Sequence, residues 1–213
     1  MEINEIEKEI SKIERTTFGI SVPKLRIFAK KIAKENYKKF LDENPKNTFE
    51  LKMLHAMVLG YANDDIDILL KYFEEFIPYV DGWAVCDTFC QSFLITKKYP
   101  EKVFNMLKKY FKSKKEFESR VVSVMLLSHF LNDKYIEKVF NILNKLDTKD
   151  YYSKMGVAWA IATIAGKYPE KCLHYLQNNK LDKATFNKSL QKMRESFRVT
   201  KEIKEIIKNY KKN

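Results

Sequence analysis

Tyr99-Pro100-Glu101-Lys102-Val103-Phe104-Asn105-Met106-Leu107 is a phrase the chain repeats. Residues 135–143 read Tyr-Ile-Glu-Lys-Val-Phe-Asn-Ile-Leu, and residues 168–176 read Tyr-Pro-Glu-Lys-Cys-Leu-His-Tyr-Leu. The copies start 36 and 33 residues apart, and each follows a longer apolar stretch of helical period. A self-similarity of this length marks stacked helix pairs. One pair cannot bury its own apolar face, so neighbours stack and expose an extended surface. The expected fold is all-α: an α-solenoid of stacked antiparallel helix pairs, a curved array with a basic concave face. One domain, residues 1–213, is expected.

The totals agree. With 213 residues the chain is long enough for one continuous core. Five Gly and five Pro are too few for an all-β fold, which needs frequent turns. Pro45, Pro78, Pro100 and Pro169 stand where helices end or begin, and Pro23 follows Ser21, a good N-cap residue. The formal charge is +12, and residues 180–213 alone hold eleven Lys/Arg against four Asp/Glu. Such an excess favours a polyanionic partner, bound through counterion release and without sequence choice. It also fits lysine-rich solvated faces with no partner. Three cysteines make no disulfide framework. The acidic, amphipathic start MEINEIEKEI is unlike a signal peptide. The longest uncharged apolar stretch, Met155 to Gly166, is short of the ~20 residues a membrane span needs. A soluble, cytoplasmic monomer is expected, with no membrane association.

Along the chain, Ile3, Ile6, Ile10 and Ile13 place a helix over 3–14. A turn with Gly19 leads to a helix capped at Ser21 that runs to about Lys34, then a short one over 35–43. Phe49 to Tyr61 is helical, ending near Gly60. Asp64, Asp65 and Asp67 load the start of the next helix, which stops before Pro78. Asp81 is expected to cap a helix reaching about Lys98. Helices follow over 100–111, 116–131, 134–146 with Asp133 as cap, 151–166, 169–178, 182–196 and 200–211. No stretch alternates as a strand.

Each long helix before a phrase holds an unusual residue. Trp83 and Asp87 are four apart and share a face. They sit at the rim of an arc formed by Val85, Cys86, Phe89, Cys90 and Phe93. Arg120 heads a row with Val124, Leu127 and Leu131, so its charge needs a partner. Trp159 stands among Gly156, Ala158, Ala160, Ala162 and Thr163, neighbours too small to cover it. Asp87 to Arg120 is 33 residues and Arg120 to Trp159 is 39, close to the phrase spacing. Residues one repeat apart line up on adjacent helices. The spacing therefore predicts that these four side chains meet on one strip. The same residues fit a plainer arrangement, with both indoles in the core and Arg120–Asp87 a structural ion pair. Cys86 and Cys90 lack the further ligands a zinc site needs. His55, His129 and His174 have no nucleophile at triad spacing. No metal or cofactor is expected.

The sequence resembles the HEAT-like-repeat DNA alkylation repair proteins, the AlkD-like alkylpurine glycosylases. Four places carry the resemblance: Phe18-Gly19-Ile20-Ser21-Val22-Pro23-Lys24-Leu25-Arg26; Trp83-Ala84-Val85-Cys86-Asp87; Arg120 heading its helix; and Val157-Ala158-Trp159-Ala160 before Lys167-Tyr168-Pro169-Glu170. It implies a cofactor-free DNA repair enzyme acting on double-stranded DNA that carries alkylated bases. Asp87 would be its catalytic acid, Arg120 the helping arginine, and Trp83 and Trp159 the cradle for sugar and base. A purine alkylated at N3 or N7 is cationic, so its glycosidic bond is primed to break. An ionised carboxylate then stabilises the sugar cation and places water, and indole faces attract positive charge. The resemblance also implies no deep pocket for a flipped base. Lys154, Lys188, Lys192, Arg194 and Arg198 are expected on phosphates, which position without specifying. Active relatives tend to carry a second carboxylate where Ala84 stands and Arg-Glu near Ile161-Ala162-Thr163. These departures suggest a side branch. They leave open a non-catalytic binder of damaged or branched DNA on the same face.

Overall fold

A computed structural model describes residues 2–13, 15, 16 and 19–210. It is all-helical, built from helix pairs packed as in a helical-repeat solenoid, and the chain divides into two compact units, Met1–Val103 and Phe104–Asn213.

The first unit opens with α1 (Ile3–Lys12), which buries Ile6 and Ile10. Two two-residue strands follow, an antiparallel pair matching Arg15 with Ile20 and Thr16 with Gly19. At two residues each they are too short to alternate, and the all-helical reading stands. Phe18 lies outside the described residues. Then come α2 (Val22–Glu35), α3 (Tyr37–Glu43), α4 (Phe49–Tyr61), α5 (Ile66–Phe76) and α6 (Trp83–Ser92). Ser21 stands at the N-cap of α2 without a capping bond. Asn36, Thr48 and Asp65 do cap, each accepting a backbone N–H from the first turn of its helix.

Helix α4 is the hub of this unit and packs on α2, α3, α5 and α6. Nine consecutive-face residues from Leu51 to Gly60 are buried, so the helix is apolar nearly all round. Gly60 lets α6 come close: a Cβ there would lie 2.4 Å from Ser92 Cβ and 2.6 Å from the Ser92 carbonyl oxygen. Alanine in a helix interior normally gains about 1 kcal/mol over glycine. Here the methyl must push backbone aside, and overpacking costs about 1–3 kcal/mol. Gly60→Ala is therefore expected to destabilise the protein, as a lower urea midpoint.

His55 on α4 is 2% exposed, stacked 4.4 Å from the Phe76 ring, with Nδ1 3.3 Å from the Asn44 amide. Burial, and then the Lys46 ammonium, push its imidazole down to about 3. The unfolded chain takes a proton near pH 6.5 that the folded one refuses. Stability from this group is thus complete above that pH and falls as pH drops towards 3. Between about pH 7 and pH 5, wild type is expected to lose about 2 kcal/mol more than His55→Gln, read by denaturant titration.

The run expected as one helix to Lys98 is broken. Helix α6 ends at Ser92, Phe93 turns out of helical geometry, and Leu94–Lys97 form a separate 3₁₀ turn. Asp81 does not cap α6; Gly82 holds that position, and the Asp81 carboxylate pairs with Lys52.

Helix α7 (Pro100–Leu107) is shorter than expected, followed by a 3₁₀ turn at Lys108–Tyr110. The second unit continues with α8 (Glu116–His129), α9 (Ile136–Leu143), α10 (Tyr151–Lys167), α11 (Pro169–Asn178), α12 (Lys183–Glu195) and α13 (Lys201–Ile206), which ends in a 3₁₀ turn at Ile207–Asn209. Helices α8, α9 and α13 are each shorter than the sequence suggested. Asp133 does not cap α9; its carboxylate pairs with Lys171 at 3.5 Å, and Tyr135 holds the cap position. Helix α10 is the second hub, packed on α8, α11 and α12.

Each phrase tyrosine starts a helix beneath a lysine. The Lys98 ammonium is 5.0 Å from the Tyr99 ring, Lys134 5.6 Å from Tyr135, and Lys167 5.7 Å from Tyr168. Among the described residues no helix is long and apolar enough to cross a membrane.

Candidate functional site

In the first unit, α6 carries two of the predicted site residues. Val85, Cys86, Phe89 and Cys90 are fully buried, so the helix has one inward face and the two cysteines belong to the core. Trp83 begins the helix and is 56% exposed; Asp87, one turn on, is half-buried at the edge of the same face. Trp83 is therefore no core residue. An indole left in solvent adds little to folding. Beside it the backbone is open: a Cβ on Gly82 would meet nothing within 4 Å.

A group the sequence did not single out holds the far end of α6. The Arg26 guanidinium on α2 donates to the Tyr61 hydroxyl on α4 and to Ser92 Oγ at 3.4 Å. The Lys30 ammonium lies 5.3 Å from the same Tyr61 ring. These partners are up to 66 residues apart, so no local pattern reveals them. Arg26 closes the first motif of the resemblance, which was the available signal.

In the second unit Arg120 is only 6% exposed. Its Nη1 donates to the Tyr152 carbonyl at 3.0 Å, and the guanidinium lies 5.9 Å from the Tyr152 ring. One turn earlier on α8, Glu116 Oε1 accepts the Tyr152 N–H at 2.5 Å. One residue of α10, Tyr152, is thus held by both its N–H and its carbonyl from α8, and the charge at the head of the apolar row has an acceptor. Farther along α10, Gly156 lets α8 approach; a Cβ there would come within 3.3 Å of Ser123 Cβ. Trp159 is half-buried among Gly156, Ala158, Ala160 and Ala162, all of them buried.

The five predicted phosphate contacts all lie in this unit. Lys154 is half-buried on α10. Lys188 and Lys192 share a row of α12, but the Lys188 ammonium bonds Gln191 at 2.8 Å and Lys192 pairs with Glu195 at 2.7 Å. Lys192 would have to leave a carboxylate to meet a phosphate. Arg194 and Arg198 are exposed.

Helix pairs packed around the two apolar hubs α4 and α10 define a helical-repeat protein. The family model for DNA alkylation repair enzymes matches residues 2–193, so it spans both units. The chain belongs to the DNA alkylation repair enzyme family. Its role accordingly lies in DNA repair, with DNA as partner. A comparison with curated proteins finds no match.

Proposed function

We propose that this protein is a DNA glycosylase that hydrolyses the N-glycosidic bond of cationic N3- or N7-alkylated purines in duplex DNA. The observation that carries this is the Asp87 carboxylate one turn from the exposed Trp83 indole, on a helix whose other face is locked in the core. The C1′–N9 bond breaks and its electron pair goes to the alkylated base, which leaves neutral. Water adds to C1′ and passes a proton through the Asp87 carboxylate to solvent, which leaves a C1′ hydroxyl. Asp87 stabilises the sugar cation and orients that water. Trp83 and Trp159 offer ring faces to the positive sugar and base, and Arg120 assists from α8. Both units serve one repair domain, and Lys154, Lys188, Lys192, Arg194 and Arg198 hold phosphates. No cofactor is required, because the substrate brings its own charge.

A second possibility, a non-catalytic binder of damaged or branched DNA, has one observation in its favour. No charged group stands at the positions where active relatives tend to carry carboxylate and Arg-Glu. Ala84 occupies the first; Ile161 and Ala162 are buried, and the Thr163 hydroxyl bonds the Trp159 carbonyl at 2.9 Å. The test is release of 7-methylguanine and 3-methyladenine from alkylated duplex DNA by wild type and Asp87→Asn. Salt-sensitive binding without release by either protein would favour the binder.

A further inference from the structure

Phe197 is fully exposed, on the turn between α12 and α13. Its position is unexpected on spacing alone. Phe186, Leu190, Met193 and Phe197 recur at four, three and four residues, the rhythm of a buried helical stripe. The first three are buried. The helix stops at Glu195, and Ser196 turns to extended backbone, so Phe197 leaves before its ring can reach that face.

The turn is tied down on every side. The Ser196 N–H bonds the Lys192 and Met193 carbonyls, and the Arg198 N–H bonds Ser196 Oγ at 3.2 Å. Val199 is buried, and Thr200 caps α13. Gly166, near the end of α10, lets the turn pack closely: a Cβ there would lie 2.9 Å from Arg198 Cβ. The phenyl ring is thus held out by a stiff segment. The segment that carries it is mostly basic. Residues 191–201 carry Lys192, Arg194, Arg198 and Lys201 against a single acid, Glu195, which is paired with Lys192.

An apolar ring held in water on a basic segment matches one chemistry in particular, the stacked bases and flanking phosphates of DNA. We propose that Phe197 is a base-stacking wedge. It enters where a base has lost its stacking partner, while Arg194, Arg198 and Lys201 neutralise the neighbouring phosphates. The inference rests on DNA being the partner, and not on base release. Because unstacking costs least at a defect, the wedge favours a duplex with a gap in the stack over an intact one.

The test is fluorescence anisotropy of the full chain on two duplexes, identical except that one carries a central abasic-site analogue, across a salt series. Phe197→Ala is expected to lose about tenfold on the abasic duplex, to be little changed on the intact one, and to keep its salt slope. Phe197→Trp should restore the loss. Arg198→Ala should weaken both duplexes alike and lower the salt slope by about one. The proposal is overturned if Phe197→Ala binds the abasic duplex like wild type, or if it loses equally on both. Wild type that binds neither duplex overturns the DNA partner itself and this inference with it. A protein that binds DNA and releases no base leaves the comparison intact, so failure of the glycosylase is distinguishable.

Discussion

Asp87→Asn is expected to cut the release of 7-methylguanine from alkylated duplex DNA by roughly 10²–10³-fold, the scale seen when one charge-stabilising group is removed from a transition state. The amide keeps the shape and most hydrogen bonds of the carboxylate. What it removes is negative charge, which matters most when the sugar becomes an oxocarbenium ion. DNA binding should change little, because the phosphates are met by lysine and arginine. The loss should therefore fall on the single-turnover rate and not on half-saturation. Asp87 is half-buried, so the swap leaves the core intact. Full-rate release by Asp87→Asn would end the proposed mechanism.

Phe89→Ala is expected to cost about 3–5 kcal/mol of folding stability, a large part of the ~5–15 kcal/mol a typical domain has. Phe89 is fully buried, its ring 4.2 Å from Phe73 and 5.0 Å from Phe76. The residue lies two positions past Asp87, so the same ring cluster that stabilises the unit also fixes the direction of the candidate acid. Urea denaturation reads the loss, and repair assays on the variant belong well below its unfolding temperature. A cost under about 1 kcal/mol would show that α6 is held by something other than this cluster.

Much of this was legible in the chain. The thrice-used phrase and the low Gly and Pro content pointed to helix pairs, and several helices run as the apolar spacing suggested, among them Phe49–Tyr61 and Pro169–Asn178. The break at Phe93 was hidden because the apolar residues continue through it; periodicity records which face is greasy, not whether the backbone keeps turning. Asp81 and Asp133 were misjudged for one shared reason. Each helix starts later than expected, so the carboxylate stands one or two residues before the cap, where a lysine from elsewhere in its unit pairs with it. The hubs α4 and α10 could not be recognised as central, since an element apolar all round has no direction in a helical wheel. At the site, the rim position of Trp83 followed from the wheel, and its exposure agrees. The bond from Arg120 to the Tyr152 carbonyl did not follow, because a backbone carbonyl 32 residues away carries no signal in the sequence; every residue type has one. Phe197 was concealed by its own regular spacing.

The lysine resting on each phrase tyrosine has an evolutionary corollary. Three helix starts share one piece of hardware, and each is assembled from residues adjacent in sequence. A recombination event that cut the gene at one Lys-Tyr pair and rejoined it at another would leave that clasp whole at the seam. Lengthening or trimming such a protein by entire modules is therefore mechanically cheap, and the near-verbatim phrase is the trace expected of duplication.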